Sequence, residues 1–178
     1  MKTTSVVLGI ASLVGVLAAP AAMPSPAGDQ SAALLRLPRA AAAGQLGTYG
    51  HIRALTRKGA RYELRFDPAL SLSGVTANRA AVEDKVVEPG EPVPNDYYIR
   101  DESRKLLTYL VPAAARVTVL TNPGTGPRSV TVSVGELSQI VKGRNPKSRP
   151  LFGTRNNPGY WLLVDADRAI SIDQQYQP

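Results

Sequence analysis

VEPGEPVPNDYYIRDESRKLLTYLVP, residues 87–112, packs three prolines, two adjacent tyrosines and a polar turn ahead of the most apolar strand of the chain. Pro89, Pro92 and Pro94 hold Glu88 to Asn95 extended, because each proline fixes its own φ and restricts its predecessor. Asn95-Asp96 turns the chain into a short strand, Tyr97 to Arg100. Asp101 to Lys105 is polar throughout and reads as a hairpin loop. The second strand of that hairpin, Leu106 to Val111, is apolar on both parities, which suits a strand covered on both faces, and Pro112 stops it.

Upstream, Gln45 to Arg57 reads as a strand with Ile52 and Ala54 on one face and His51, Arg53 and Leu55 on the other. Lys58-Gly59 makes a turn, and Arg61 to Phe66 alternates, with Tyr62, Leu64 and Phe66 inward. Asp67-Pro68 is expected to break this strand. A helix capped by Thr76 follows to about Lys85, its apolar side formed by Ala81, Val82 and Val86. Downstream, Arg116 to Thr121 and Arg128 to Ser133 are β-branched strands around a Pro/Gly turn. Ser133 and Glu136 form a capping box ahead of Leu137, Ile140 and Val141, and Gly143 ends that helix. Tyr160 to Val164 and Ala169 to Ile172 form a closing pair. About seven short strands and two short helices imply a mostly-β domain over residues 45–178, either a small antiparallel barrel or a strongly bent sheet.

Residues 1–22 carry the marks of a cleaved signal peptide: Lys2, an apolar run from Val6 to Ala19, and small residues at Ala19, Ala21 and Ala22. Residues 23–44 read as a flexible Ala/Pro-rich tether, too poor in large apolar side chains to offset the entropy of ordering. The expectation is export to the envelope or medium with no stable membrane anchor. The chain has no cysteine, which excludes disulfides and thiolate chemistry, and one histidine, His51, which excludes a multi-histidine metal site within one chain. No phosphate-cradling GxxxxGK[ST] motif is present, and neither a cofactor nor a metal nor a catalytic residue is assigned.

Two polar constellations are candidate contact surfaces. Asn95, Asp96, Tyr97, Tyr98, Arg100, Asp101 and Glu102 cluster beside Glu88 and Glu91, with Asp96, Tyr98, Arg100 and Asp101 the candidate contact residues. They read either as a partner or hard-cation surface, or as turn chemistry with Arg100 paired to a carboxylate. Lys142, Arg144, Lys147 and Arg149 lie in a run with no acid between Glu136 and Asp165, near Trp161 in sequence. With a net charge of +7, such a loop attracts anionic polymers, or is a solvated helix end. The plausible anion for an exported protein belongs to the envelope, and no intracellular nucleic acid is expected.

The run from Tyr49 to Pro112, together with LSQIVKGRNP, RPLF and the ending SIDQQYQP, resembles a family of small secreted proteins from high-GC Gram-positive bacteria. The resemblance spans Tyr49 to Pro178 and implies secretion, but it brings no catalytic residue or ligand with it. The functional expectation is a secreted, non-enzymatic module that binds a cell-envelope polymer or an exported protein. The alternative is a hydrolase of cell-wall or extracellular polymer using carboxylates of the 88–102 region, with His51 at hand.

Overall fold

The computed structural model describes residues 44–101, 105–153 and 157–176. Residues 1–43, and with them the signal peptide and nearly all of the tether, lie outside this range, as do Glu102 and Arg155. The chain is mostly β: β1 (Gln45–Lys58), β2 (Arg61–Ser73), α1 (Gly74–Glu83), β3 (Tyr97–Arg100), β4 (Leu107–Pro112), β5 (Arg116–Thr121), β6 (Arg128–Val132), α2 (Val134–Val141), β7 (Gly159–Asp165) and β8 (Arg168–Gln174). All eight strands join one sheet, which is mixed rather than purely antiparallel, because β8 runs parallel to β4 and β5. Following the pairings β1–β2–β4–β8–β7 leads back to β1. The β4–β8 contact in that circuit is a single bridge, Leu110 with Arg168, supported by Leu110 N–H donating to Asp167 O at 3.0 Å.

The core lies inside the curved sheet. Leu64, Phe66, Val111, Val117, Val119 and Ile172 are fully buried there. Each such side chain removes enough apolar surface from water to contribute about 1.5–3 kcal/mol. α2 closes the core with Leu137 and Ile140. Its start follows the capping-box reading in part. Ser133 Oγ accepts from Glu136 N–H at 3.1 Å, but the Glu136 carboxylate turns away from the cap towards Arg149. Gly143, with φ of 76°, ends this helix as expected.

β1 departs from simple alternation. Its register with β2 slips between Ile52 and Ala54, which leaves Arg53 as the extra residue of a β-bulge. The bulge brings Ile52 and Leu55 to the same buried face, so Leu55 is core rather than exposed. It also aims Arg53 at Asp67, Nε to Oδ2 at 2.8 Å. Asp67-Pro68 does not break β2, which stays paired with His51, Gly50 and Tyr49 of β1 through this point and continues to Ser73. The backbone of Gly50 runs so close to Asp67 O that any Cβ there would overlap it.

The hairpin expected over residues 97–111 is absent. β3 pairs with the second half of β2 (Ser73 with Tyr97 to Leu70 with Arg100), and β4 with the first half (Phe66 with Leu107 to Arg61 with Pro112). Both run antiparallel to β2 along the same edge. They are two parts of one interrupted strand. The interruption falls opposite Pro68, which has no N–H to offer a neighbour. α1 starts at Gly74, and its buried side is Ala77, Ala80 and Ala81, while Val86 is exposed.

Candidate binding cleft

Period-two alternation divides β3 between two environments. Tyr98 and Arg100 face α1. Arg100 Nε and Nη2 donate to the two carboxylate oxygens of Asp84, both at 2.8 Å, and Nη2 also reaches Ala80 O at 2.8 Å. Glu83 lies 3.1 Å away, and Tyr98 Oη donates to Asp84 at 3.0 Å. Arg100 thus ties the C-terminal turn of α1 to the sheet, as a second donor to Ala80 O, which also accepts from Asp84 N–H at 3.0 Å. Hydrogen bonding to Arg100 holds the carboxyls of Glu83 and Asp84 below their ordinary range. Burial first, and then Asp84, push the Tyr98 hydroxyl up. Two residues read from sequence as contact surface are therefore occupied in docking α1. Asp96 and Asp101 are exposed on either side of β3.

Tyr97 and Ile99 take the other parity and face a cleft of about 450 Å³. Ser71 and Ser73, their partners on β2, share this cleft, and Asn95 lies at its rim. Its far wall is Trp161 of β7 with Gln175 and Tyr176. Trp161 is held from two sides. Its indole N–H donates to Gln175 Oε1 at 2.9 Å, and the buried Tyr49 ring lies behind it at 5.3 Å between centroids. Tyr49 in turn sits over Gly159, where a Cβ would collide with the tyrosine hydroxyl. Tyr176 stacks on Phe152 at 5.5 Å. The turn entering β3 has Asn95 and Asp96 in succession at positive φ, 57° and 58°, a conformation these two residue types tolerate better than most.

The end of the chain organises this region. Asp173 is buried and accepts from Thr118 Oγ1 (2.6 Å), Ser171 Oγ (2.7 Å) and Arg116 Nη2 (2.6 Å). Gln174 bridges Leu120 N–H at 2.9 Å and Phe152 O at 2.8 Å, which fixes the loop that carries Tyr176's stacking partner.

The basic loop is folded against its own helix. Arg149 Nε donates to Glu136 Oε1 at 2.6 Å, and Lys147 Nζ lies 3.0 Å from Oε2. Arg149 above all holds the Glu136 carboxyl below its ordinary range, against the effect of burial. Asn145 brackets the Arg149 backbone at both N–H and O. Arg144 reaches the Gln139 amide at 3.2 Å, and Lys142 is exposed. Beside them is a hollow of about 570 Å³ lined in part by Arg144 and Arg149. Trp161 lines the other cleft, not this one. A third depression, about 480 Å³, lies between α1 and the proline-rich loop.

Ser71 and Gln175 do not stand out in the sequence, whereas Asn95 and Tyr97 belong to its polar cluster without being singled out there as contact residues. The signal for Tyr97 was present, since adjacent tyrosines on a strand must face opposite ways, but nothing local said which side carried the helix. Among the described residues no cluster of three acidic or histidine side chains is placed to hold a metal, and no helix is long and apolar enough to cross a membrane. No family model, curated protein or solved structure matches the chain.

Proposed function

We propose that this chain is an exported binding module, akin to the small secreted proteins its sequence resembles, and that it recognises an envelope polymer or exported protein at the cleft beside Trp161. The observation that carries this reading is the cleft itself. It has aromatic walls fixed from behind, with amides and hydroxyls between them, as small-ligand sites commonly do. Export is supported by the basic head, short apolar core and small residues of positions 1–22.

The alternative, polymer hydrolysis, calls for two carboxyls across a cleft, one of them raised in pKa to act as the acid. The acids whose titration is displaced, Glu83, Asp84 and Glu136, are displaced downward by arginine. Among the described residues no carboxylate lines the Trp161 cleft. The test uses the protein recovered from the culture medium, where mass spectrometry should find an N-terminus just after Ala21 or Ala22. That protein should sediment with envelope material of its own cell and release no reducing ends from it. Release of reducing ends would favour the hydrolase, and full-length chain confined to the membrane fraction would overturn export.

A further inference from the structure

The geometry points to an uncharged glycan as the ligand of the Trp161 cleft, an inference that rests on the binding reading above and gives it a chemical class. The first argument is charge. The chain carries a formal +7, yet no charged side chain lines this cleft among the described residues. An anionic polymer would gain most from cations, which stand elsewhere, at Lys142 and Arg144.

The second argument is the kind of contact on offer. The Trp161 N–H is already given to Gln175, so the indole meets a ligand through its ring. An aromatic face is electron-rich and attracts weakly positive C–H groups. A sugar ring presents such C–H groups on its faces and hydroxyls, both donors and acceptors, around its rim. Ser71, Ser73 and Asn95 supply the matching mixture of donors and acceptors.

Preorganisation is the third argument. Tyr49 behind Trp161, and Phe152 against Tyr176, hold two of the aromatic walls in place before any ligand arrives. Holding them in advance lowers the ordering cost of binding. Asn95 and Asp96 at positive φ place a sparsely populated backbone conformation at the rim, a feature that concentrates at ligand sites.

The experiment is sedimentation of the exported protein with envelope material from its own cell, treated in parallel with mild periodate, which cleaves sugar diols, or with protease. Binding should survive protease and about 0.5 M salt, which collapses the range of charge attraction. It should be lost after periodate, and fall about tenfold or more in Tyr97→Ala and Trp161→Ala, as removal of an aromatic anchor does. Tyr97 is the safer variant, because it is only half-buried on an edge strand, and thermal melts establish that each variant is folded. Binding that survives periodate, or disappears with protease, overturns the glycan inference and leaves the module reading standing with a protein partner. Binding that collapses in salt and depends on Lys142 and Arg144 moves the site to the basic loop. Failure to bind untreated envelope defeats both readings.

Discussion

Gly50 and Gly159 mark the two positions where the sheet leaves no room for a side chain. At Gly159 the obstacle is the Tyr49 hydroxyl, and at Gly50 it is the Asp67 carbonyl. A side chain can shift and a paired backbone cannot. Gly159→Ala should therefore cost about 1–3 kcal/mol in chemical denaturation and displace Tyr49 from behind Trp161, while Gly50→Ala should cost more. The reverse order would mean that the β1–β2 contact at Asp67 is looser than described. Glu136 is a second test at this scale. It is buried under Arg149 and Lys147, and Glu136→Gln should cost about 1–3 kcal/mol, since both cations can partly regain water. A neutral outcome would free the basic loop from its helix. From the sequence alone Glu136 reads as half of a capping box. Its actual partners lie 11 and 13 positions onward, beyond what local spacing can show.

At the scale of elements, legibility followed locality. The β5–β6 and β7–β8 hairpins and α2 were readable because turn residues, strand alternation and a cap all sit within a few positions of one another. Residues 97–112 were misread because a polar loop between two strands is equally compatible with reversal and with an excursion. Only the length of β2, 13 residues continuing past Pro68, decides between them. Tyr98 and Arg100 read from the sequence as contact residues, but their partners stand at the C-terminal end of α1, at Ala80, Glu83 and the capping residue Asp84. Removing them should act on that helix. In Arg100→Ala, amides of α1 should exchange with solvent faster while those of β1 and β7 keep their protection, as expected for local rather than global opening. Equal acceleration throughout would show that α1 and the sheet unfold as one unit.

For the molecule as a whole, the carboxylates held by arginine set the response to acid. Glu83, Asp84 and Glu136 titrate below their ordinary values of 4.5, 3.8 and 4.5 in the folded chain. Through that window the unfolded chain binds more protons, so these ion pairs contribute fully above about pH 4.5 and are lost as pH falls through the folded values. The denaturation midpoint should be flat from neutrality to about pH 5 and drop below it, with the drop reduced in Glu136→Gln. An unchanged drop in that variant would assign the acid response to other groups. The mostly-β class was legible from alternation, but the core was only partly so, since the bulge at Arg53 turns Leu55 inward. The circuit of strands and the cleft were not, because both depend on which distant edges meet.

The most direct measurement of the central claim uses a property of the sequence: Trp161 is the sole tryptophan, and it stands in the cleft. Its emission can be followed while soluble, uncharged oligosaccharides released from the envelope are titrated into the exported protein. A glycan seated on the indole should give a saturable change in Trp161 emission, indifferent to salt and accompanied by protection from a neutral quencher. Saturable binding by calorimetry with no change at Trp161 would contradict it.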